Sequence, residues 1–544
     1  MERMEVLDGM DVDTMLMHVG DFDRFQFLLI GLFSLINLLS GFHYFGQTFI
    51  SVTPDYKCKP LPNDNLNTTT YLGCSKIIQD GATTTEVACT TGWDYSNSYN
   101  YISIVQEMDW VCENSWPPVV AHSFFYVGAV FGSFGLGILA DRIGRLHVLI
   151  IANMFVVIGN IATIFSYHPI LYVISRFLAG CATDSNFLMM YIIVMEYMRP
   201  SMRTFGLNLC IGVFYCISCV IVPWLAVGLG SWKWFLLAIS LPHLLIISFY
   251  FFVPESAQWL ISKGRTEDAI RCFQRIAYVN NRKIDVNVLD QLRKYADEHI
   301  KSVKNENLIG LFSTPRLRRK TMILMFKSMV MSLGYDTIAR NVNGFGISPF
   351  TIFSICSATI LPACIVILFL QDRLGRKALA SGALFISGLF SAVAAIVLAV
   401  NENASSLLII ALSVICRFSI NVAYNSGAQY AVELIPTVVR GQGVSAIHVI
   451  GYIANFCSPS VLYLGETWKP SPEVILAVLL ICGAFACLFL PETLNKTLPV
   501  TLADGENFGE DERFYEFSCC CRGDNGIGSK EILNPGIYKI KYVN

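Results

Sequence analysis

The sequence has few charged residues for its length. Asp, Glu, Lys and Arg make up 15% of the 544 residues, whereas soluble domains carry about 25%. The net charge of −2 gives no excess of basic residues for binding nucleic acid. The sequence also has no phosphate-binding glycine loop, no metal-like spacing of His or Cys and no nucleophile elbow. These shortages exclude a soluble enzyme, and we expect no cofactor and no bound metal.

Long apolar stretches are present instead, and the mean hydropathy is +0.52. A bilayer core about 30 Å thick requires about 20 helical residues, and twelve stretches are long enough. The first one follows Asp23 and has no small-residue cleavage site, so we expect a membrane anchor rather than a signal peptide. The predicted spans are 25–48, 117–140, 146–167, 170–195, 205–228, 233–253, 321–341, 349–370, 378–400, 406–430, 444–465 and 473–490.

Lys and Arg are concentrated in alternate loops, and such loops face the cytosol. Arg142 and Arg145 follow the second span, and Arg373 and Arg376 follow the eighth. With an even number of spans, both termini are then cytoplasmic. The predicted organisation is a cytoplasmic N-terminus 1–24, a six-helix bundle 25–253 with an extracellular loop 49–116, a cytoplasmic helical linker 254–320, a second six-helix bundle 321–490 and a cytoplasmic tail 491–544.

The outer loop carries four cysteines, which predict two disulfides in one of three pairings, with free thiols as the alternative. They are Cys58, Cys74, Cys89 and Cys112. Sequons at Asn67 and Asn403 would lie outside and carry glycans, whereas the sequon at Asn495 would lie in the cytosol and stay unmodified. The tail cysteines 519–521 are either palmitoylated or part of a solvated tail.

The chain repeats itself at a long period. The motif that runs from Asp141 to Arg145 recurs 231 residues later from Asp372 to Arg376, and Arg176 recurs 241 residues later as Arg417. Both copies begin and end on the same side of the membrane. We therefore predict an all-α membrane protein with twelve transmembrane helices in two parallel six-helix repeats, which is the plan of major facilitator transporters. A channel is less favoured, because no filter loop is present.

The repeated charges at the predicted cytoplasmic helix ends can act as a conformational clamp. A carboxylate and two guanidinium groups in one tight turn can hold the inner ends of the two halves together and release them. The alternative is that these residues only anchor the topology. The proposed clamp contains Asp141, Arg142, Arg145, Glu196, Arg203, Asp372, Arg373, Arg376, Glu433 and Arg440.

Several motifs resemble the organic cation, anion and carnitine transporter family, solute carrier family 22. They are Phe42-His43, the segment from Glu107 to Cys112, Arg176 to Gly180, Pro254 to Gly264 and Glu433 to Arg440. The stretch from Gly334 to Asn341 is similar to insect members that carry carcinine or β-alanine. The resemblance implies alternating access and a small organic cation, amine or zwitterion as substrate.

Ionisable groups inside spans are costly and indicate functional sites. Asp184 and Arg417 fall near mid-membrane, and Asp336 lies one turn before Arg340. Three interpretations remain open. Asp184 pairs with Arg417, or Asp336 with Arg340, as structural ion pairs. Alternatively one aspartate binds a substrate ammonium while Arg417 restrains a helix or receives a carboxylate. The third interpretation is proton coupling through a carboxylate.

The resemblance also implies positions for a substrate cage. Cation carriers of the family have an acidic residue in span eleven and anion carriers a basic one, whereas this sequence has Tyr452. Acidic charge is relocated to Asp184 and Asp336. Aromatic rings attract cationic amines. The implied substrate-binding set is Asp184, Phe187, Tyr335, Asp336, Arg417, Tyr424, Asn425 and Tyr452, and His43 is a candidate gate residue.

Together these patterns predict a multi-pass plasma-membrane transporter that moves a small organic amine or zwitterion without ATP. The membrane potential would drive uptake, and one chain would suffice for transport. One alternative is proton- or sodium-coupled transport of a zwitterion. Another, of a different class, is a receptor or scaffold that binds substrate without transporting it. Lipid and the small substrate are the expected partners.

Overall fold

The computed structural model describes most of the chain, including both predicted bundles. The described residues are 12–20, 22–60, 69–80, 83–89, 92–96, 98–198, 200–302, 308–341, 347–401, 405–494, 496, 498–499 and 501–510. Within these ranges nothing is described of the side chains of 79–80, 83–84, 98, 200–209, 298–302, 308 and 437. The glycosylation candidates Asn67 and Asn403, the sequon at Asn495 and the tail cysteines lie outside the described residues.

Twelve helical segments in the described part are long and apolar enough to cross a membrane, which confirms the predicted number. In chain order they are called spans 1 to 12. They are Arg24–Ile50, Cys112–Ile143, Arg145–Ile164, Pro169–Glu196, Cys210–Leu229, Trp232–Phe252, Pro315–Arg340, Pro349–Leu374, Arg376–Val400, Ser406–Leu434, Arg440–Thr467 and Ser471–Leu488.

Several spans are not single continuous helices. Span 4 consists of Pro169–Gly180 and Ser185–Glu196, and Asp184 is the residue before the second helix. Span 8 divides into Pro349–Ala358 and Ile360–Leu374, and span 11 into Arg440–Asn455 and Ser458–Thr467. Breaks within spans place backbone polar groups where a protein interior or cavity can satisfy them. The break in span 4, next to Asp184, is therefore a candidate functional position.

Two ends of the molecule are distinguished by their connections. The loop end carries residues 51–115, and the linker end carries the segment between spans 6 and 7.

At the linker end, the turn between spans 2 and 3 has the same geometry as the turn between spans 8 and 9, its counterpart in the internal repeat. Gly144 has φ +106° and Gly375 has φ +92°, values that glycine adopts without strain. The backbone N–H groups of Arg145 and Arg376 donate to Glu255 and Glu492 over 2.8 and 2.9 Å.

The loop contains short strands that the all-α expectation missed. Strand β1 (Asp55–Cys58) pairs antiparallel with β5 (Trp93–Ser96), while β2 (Thr69–Tyr71), β3 (Ser75–Asp80) and β4 (Thr83–Ala88) form a second antiparallel sheet. Of the three possible disulfide pairings, the structure has Cys58–Cys89 and Cys74–Cys112. The two bonds tie the strands to each other and to the start of span 2.

Shorter helices cover the linker end. Helices Ala257–Ser262, Thr266–Val279 and Val286–Ser302 follow span 6, and the N-terminal helix Val12–Val19 packs against the second of them. Asn280 accepts the backbone N–H of Phe25 at the start of span 1 over 2.8 Å. Near the other terminus, Leu502–Asn507 packs on span 7, where Glu506 accepts the backbone N–H of Leu317.

The two halves of the chain pack along spans 2 and 11 and along spans 5 and 8. Many contacts between them lie near the loop end. Ser123 of span 2 donates to the carbonyl of Phe456 over 2.9 Å, and Ser354 of span 8 donates to the carbonyl of Val220 over 3.1 Å. Phe49 stacks on Phe350 with ring centroids 5.5 Å apart. In this conformation, therefore, the halves are joined at the loop end.

Candidate functional site

Asp184 stands at the break of span 4 and contacts the other half of the molecule. Its Oδ2 accepts from Ser133 of span 2 over 3.1 Å, and its Oδ1 accepts from the Tyr452 hydroxyl over 3.2 Å. Nδ1 of His448, one turn earlier on span 11, lies 3.7 Å from Oδ1. The carboxylate is therefore a junction between the two repeats, and the structure brings the predicted residues Asp184 and Tyr452 together.

Partly buried aromatic rings surround this junction. Phe187, one turn after Asp184, stacks on Tyr191 at 5.9 Å and lies 5.7 Å from Phe33 of span 1. Across the molecule, Tyr335 and Tyr424 are paired with their ring centroids 4.7 Å apart. The ring faces carry negative charge density that suits an ammonium group.

Asn425, the predicted residue that follows Tyr424 on span 10, is exposed. Its side-chain amide donates to the carbonyl of Asn421 within span 10 over 3.0 Å. The structure therefore gives Asn425 a bond within its own helix and no contact with the other predicted site residues among the described hydrogen bonds.

Asp336 has a different environment, because it is fully buried in an ion pair. Its Oδ1 lies 2.8 Å from Nε of Arg340 and accepts hydroxyl bonds from Tyr126 over 2.5 Å and Tyr44 over 3.0 Å. Arg340 also donates to Thr48 and to the carbonyl of Tyr44. This geometry favours the structural ion pair among the three interpretations for Asp336.

Tyr44, Thr48 and Tyr126, the partners of this ion pair, were not predicted from the sequence. Tyr44 directly follows the Phe42-His43 motif, but a tyrosine in an apolar helix gives no signal that separates it from packing residues. His43 itself is buried in the first half, with Nε2 3.0 Å from the carbonyl of Ala179.

Arg417 is not the partner of Asp184 in the described part of the chain, so of the two alternative ion pairs the structure has the one between Asp336 and Arg340. Its Nη1 donates to the carbonyl of Tyr335 over 2.9 Å, and its guanidinium lies 4.2 Å from the centroid of the Tyr335 ring. The guanidinium also lies 5.9 Å from the centroid of the Phe45 ring of span 1. Arg417 thus restrains span 7 and borders the first half.

The repeated charges at the linker end pair within their own halves. Arg145 lies 3.2 Å from Asp141, and Arg376 lies 2.9 Å from Asp372 and 3.2 Å from Glu433. In this conformation these bonds do not form the bridge between halves that the clamp hypothesis describes.

The remaining clamp residues either bond within their own half or are exposed. Glu196 accepts from Ser256 over 2.6 Å, and Arg440 donates to the carbonyl of Ile435 over 3.3 Å, each within its own half. Arg142 and Arg373 are exposed. The side chain of Arg203 is outside the described ones. The charges therefore order each helix end locally, around the tight glycine turns.

Comparison with known proteins identifies relatives over nearly the whole length. Residues 84–500 match the family model "Sugar (and other) transporter". The organic cation transporter protein of Drosophila melanogaster is 29% identical over 528 residues, which cover 92% of this chain and 95% of that one. Organic anion transporter 3 of Oryctolagus cuniculus is 29% identical over 519 residues, with 92% and 94% covered.

Solved structures show the same fold. The inward-open conformation of the xylose transporter XylE from E. coli has a TM-score of 0.58 at 15% identity and covers 88% of this chain and 99% of its own. XylE bound to 6-bromo-6-deoxy-D-glucose has a TM-score of 0.57 at 16% identity, with 87% and 98% covered. The predicted major facilitator fold is confirmed. The chain belongs to the sugar (and other) transporter family and is a multi-pass membrane transporter, related to the organic cation and anion transporters of solute carrier family 22, rather than an enzyme.

Proposed function

We propose that the protein moves small organic amines, cations or zwitterions across the plasma membrane by alternating access, with both termini in the cytosol. The names of its relatives, which include an organic cation transporter, support this substrate range. For a monovalent cation, a membrane potential supplies about 2.3 kcal/mol per 100 mV. Uptake of such a substrate therefore needs no second ion.

The observation that carries the proposal is the environment of Asp184. Among the described residues, the basic side chain within 4 Å of its carboxylate is His448, which is charged only when protonated. Asp336, in contrast, is neutralised by Arg340, which is always charged. A substrate ammonium can therefore take the place of the imidazole beside Asp184, while the place beside Asp336 is already filled.

Further groups at the break of span 4 support a binding role. Thr183 Oγ1 and Asn186 Nδ2 are buried and have no hydrogen-bond partner among the described residues. Unpartnered buried polar atoms cost about 1–3 kcal/mol each, and a polar ligand removes that cost. The carboxylate and the Thr183 hydroxyl can accept hydrogen bonds from an ammonium group, the Phe187 ring offers an apolar surface, and the Asn186 amide, itself a donor, suits an acceptor atom elsewhere on the ligand.

The contacts between halves support alternating access. With the linker in the cytosol, the joined loop end is the extracellular end, so this conformation is closed to the outside. Opening outward has to break the bonds from Tyr44 and Tyr126 to Asp336 and from Ser123 to Phe456. These bonds link helices of opposite halves, which move relative to each other when the halves rock.

The test is uptake and binding of labelled amines by cells and by purified protein. Asp184→Asn keeps the shape but removes the charge, so the affinity for a cationic amine should fall 10- to 1,000-fold, about 1.4 kcal/mol for each tenfold. His448→Gln is the matched control, because it removes the competing imidazole, and amine affinity should be retained or increased. Unchanged amine affinity in surface-delivered Asp184→Asn would contradict the proposal.

The same assay separates the alternatives. A receptor without transport activity would bind amines in purified form but show no flux into cells or vesicles. Proton-coupled transport would show accumulation driven by a pH gradient at zero membrane potential, whereas potential-driven uptake would not. Proton coupling would use the contact between His448 and Asp184, since both groups can exchange protons.

A further inference from the structure

The start of span 7 is capped by a residue from the far end of the chain. Thr314 precedes the helix, but its hydroxyl accepts no N–H group from the described first turn. The Glu506 carboxylate accepts instead, from the N–H of Leu317 over 2.6 Å and from that of Arg316 over 3.1 Å. The Thr314 hydroxyl donates to the same carboxylate over 2.5 Å. A helix N-terminus leaves N–H groups unpaired and favours negative charge, and Glu506 meets both requirements.

The tail helix, Leu502–Asn507, is capped in return by span 7. Nζ of Lys320 donates to three carbonyls at the end of the tail helix, those of Gly505, Glu506 and Phe508. A cation at the last carbonyls of a helix complements its dipole. Arg316 adds an ion pair with Glu510 over 2.6 Å. Each helix end therefore binds the charge that the other supplies.

Close contacts seat the tail helix on the second half. Gly505 is buried, and a Cβ atom there would lie 2.7 Å from Pro436 in the turn between spans 10 and 11. Leu502 lies against Gly310, where an added Cβ would be 2.5 Å from the leucine side chain. The tail helix thus touches the segment before span 7, the start of span 7 and the turn between spans 10 and 11. Residues 501–510, docked in this way, are called the tail latch.

The first span of the other half has a different kind of cap. Asp23 caps span 1 through a capping box with Gln26, and Asn280 of the linker accepts the N–H of Phe25. Asn280 is uncharged and only 5% exposed. Glu506, in contrast, is charged and partly exposed. A change of charge at the surface can therefore displace the cap of span 7, whereas the cap of span 1 is shielded from it.

Thr314 is the position where an added negative charge would act directly on the tail latch. A phosphate group carries a charge of about −1.5 to −2 and three acceptor oxygens. On Thr314 it would repel the Glu506 carboxylate that now contacts the hydroxyl, and it would suit the N–H groups of the first turn. Arg318 lies one turn later, with its N–H bonded to the Thr314 carbonyl, and its exposed side chain can pair with a phosphate.

The surroundings of Thr314 are open to a modifying enzyme. Its neighbours Ser313, Pro315 and Arg316 are exposed, and its own backbone is extended, with φ −110° and ψ 148°. A proline directly after the threonine, followed by basic residues, is the kind of sequence that proline-directed protein kinases bind. The hydroxyl therefore lies in an accessible segment and in a suitable sequence.

We propose that Thr314 is a phosphorylation site and that its phosphate releases the tail latch. The kinase transfers the γ-phosphoryl group of ATP. The bond from Thr314 Oγ1 to phosphorus forms, the bond from phosphorus to the leaving ADP oxygen breaks, and the hydroxyl proton passes to the base of the kinase. The phosphate then accepts the N–H groups of Arg316 and Leu317 in place of Glu506. The inference rests on the cytosolic orientation of the linker end in the proposed function, because kinases and ATP are cytosolic.

The test is hydrogen exchange of the purified protein in lipid nanodiscs, before and after incubation with a proline-directed kinase and ATP. Mass spectrometry should find phosphate on Thr314, and amide exchange in residues 501–510 should accelerate at least tenfold. Exchange at Arg316 and Leu317 should stay slow, because the phosphate replaces the carboxylate as their acceptor. Faster exchange in both segments would mean general loosening, and slow exchange in both would mean that the latch stays docked. Either result overturns the proposal.

Variants separate the effect of charge at Thr314 from the effect of charge nearby. Thr314→Glu should accelerate exchange in residues 501–510 as the phosphate does. Adding Glu506→Gln removes the repulsion and supplies an amide donor, so the double variant should recover most of the protection. Ser313→Glu is the matched control, because Ser313 bonds to the carbonyl of Gly310 rather than to Glu506. The proposal is wrong if Ser313→Glu releases the tail equally or if the double variant stays released.

Measurements on protein from cells test whether the site is used. Peptides that contain Thr314 should carry phosphate after treatment of the cells with a phosphatase inhibitor, and Thr314→Val should abolish it. Phosphorylation of the purified protein but never of the cellular protein would overturn the inference. Failure of the proposed orientation is recognised separately, because the sequon at Asn495 would then carry a glycan.

Discussion

Oδ1 of Asp336 lies 2.8 Å from Nε of Arg340, the residue one turn further along span 7. Both side chains are buried, and both also bond to the first half, through Tyr44, Thr48 and Tyr126. An ion pair within one helix is thus used to join two halves. Asp336 and Asp184 are both acidic residues within spans, but only Asp184, whose side chain is 12% exposed, lies beside a side chain that can be neutral.

This difference predicts that Asp336→Asn acts mainly on stability. The substitution leaves the Arg340 guanidinium buried without its counter-charge, and breaking one partner of a buried pair costs about 3–5 kcal/mol. We expect reduced surface delivery and a lower midpoint of thermal unfolding for the purified protein. The double variant Asp336→Leu with Arg340→Met removes both charges and should recover much of that loss. A normal unfolding midpoint in Asp336→Asn would show that the pair contributes little.

The charged residues of the glycine turns at the linker end, Arg145 and Arg376, are predicted to affect the rate of transport. Arg376→Ala removes bonds to Asp372 and Glu433, and Arg145→Ala removes the bond to Asp141. These groups order the helix turns at the linker end, whereas Asp184 lies at the break inside span 4. Ligand affinity should therefore stay within a few-fold, while maximal flux falls because the helix ends that move when the halves rock are less well ordered. Flux per surface-expressed molecule and equilibrium binding measure the two quantities.

Arg373→Ala is the matched control for these variants, because Arg373 belongs to the same turn but is exposed. It should transport like wild type. Normal flux in both Arg145→Ala and Arg376→Ala would mean that the repeated charges only anchor the topology.

The number of spans and the internal repeat could be predicted because both depend on patterns along the chain. Hydropathy marks a helix that must lie in lipid, and Asp141 and Asp372 open the same motif at one spacing. The strands of the outer loop were missed because strands of three to six residues carry little periodicity. Disulfide pairing was left open because spacing alone does not distinguish the three connectivities.

Residues of the candidate site were predicted individually, and the pairing of Asp336 with Arg340, one turn apart on one helix, was among the alternatives, but the pairings between different helices were not predicted. Asp184 was recognised because a carboxylate in a span is costly, yet its contact with His448 joins residues from different repeats. Nothing local specifies that contact, since it depends on how spans 4 and 11 approach each other. For the same reason the pairing of Arg417 with Asp184 stayed open as one alternative, whereas the fold places Arg417 beside Tyr335.

Topology is tested by the three sequons. If the loop 49–116 is extracellular, Asn67→Gln should remove one glycan and increase gel mobility, and Asn403→Gln should remove another. Asn495→Gln should leave the mobility unchanged, because the enzyme that attaches glycans acts only on the other side of the membrane. Endoglycosidase treatment of wild type provides the fully deglycosylated reference. A glycan on Asn495 would reverse the predicted orientation of the whole chain.

Close packing of span 2 against span 4 predicts a sharp difference between two glycines on one helix. A Cβ atom at Gly132 would lie 1.9 Å from the carbonyl oxygen of Cys181, next to the break that positions Asp184, whereas a Cβ at Gly135 would meet nothing within 4 Å. Small residues let membrane helices approach this closely, and a backbone carbonyl cannot rotate away as a flexible side chain can.

Gly132→Ala should therefore destabilise the protein by about 1–3 kcal/mol, the usual cost of overpacking, and weaken amine binding by moving Asp184. Gly135→Ala, three residues along the same helix, should match wild type in both respects, because the added methyl group has free space. Thermal unfolding and amine binding of the two purified variants measure the difference. Equal behaviour of the two would mean that spans 2 and 4 are further apart in the membrane than the contact between Gly132 and Cys181 requires, and the position assigned to Asp184 would have to be revised.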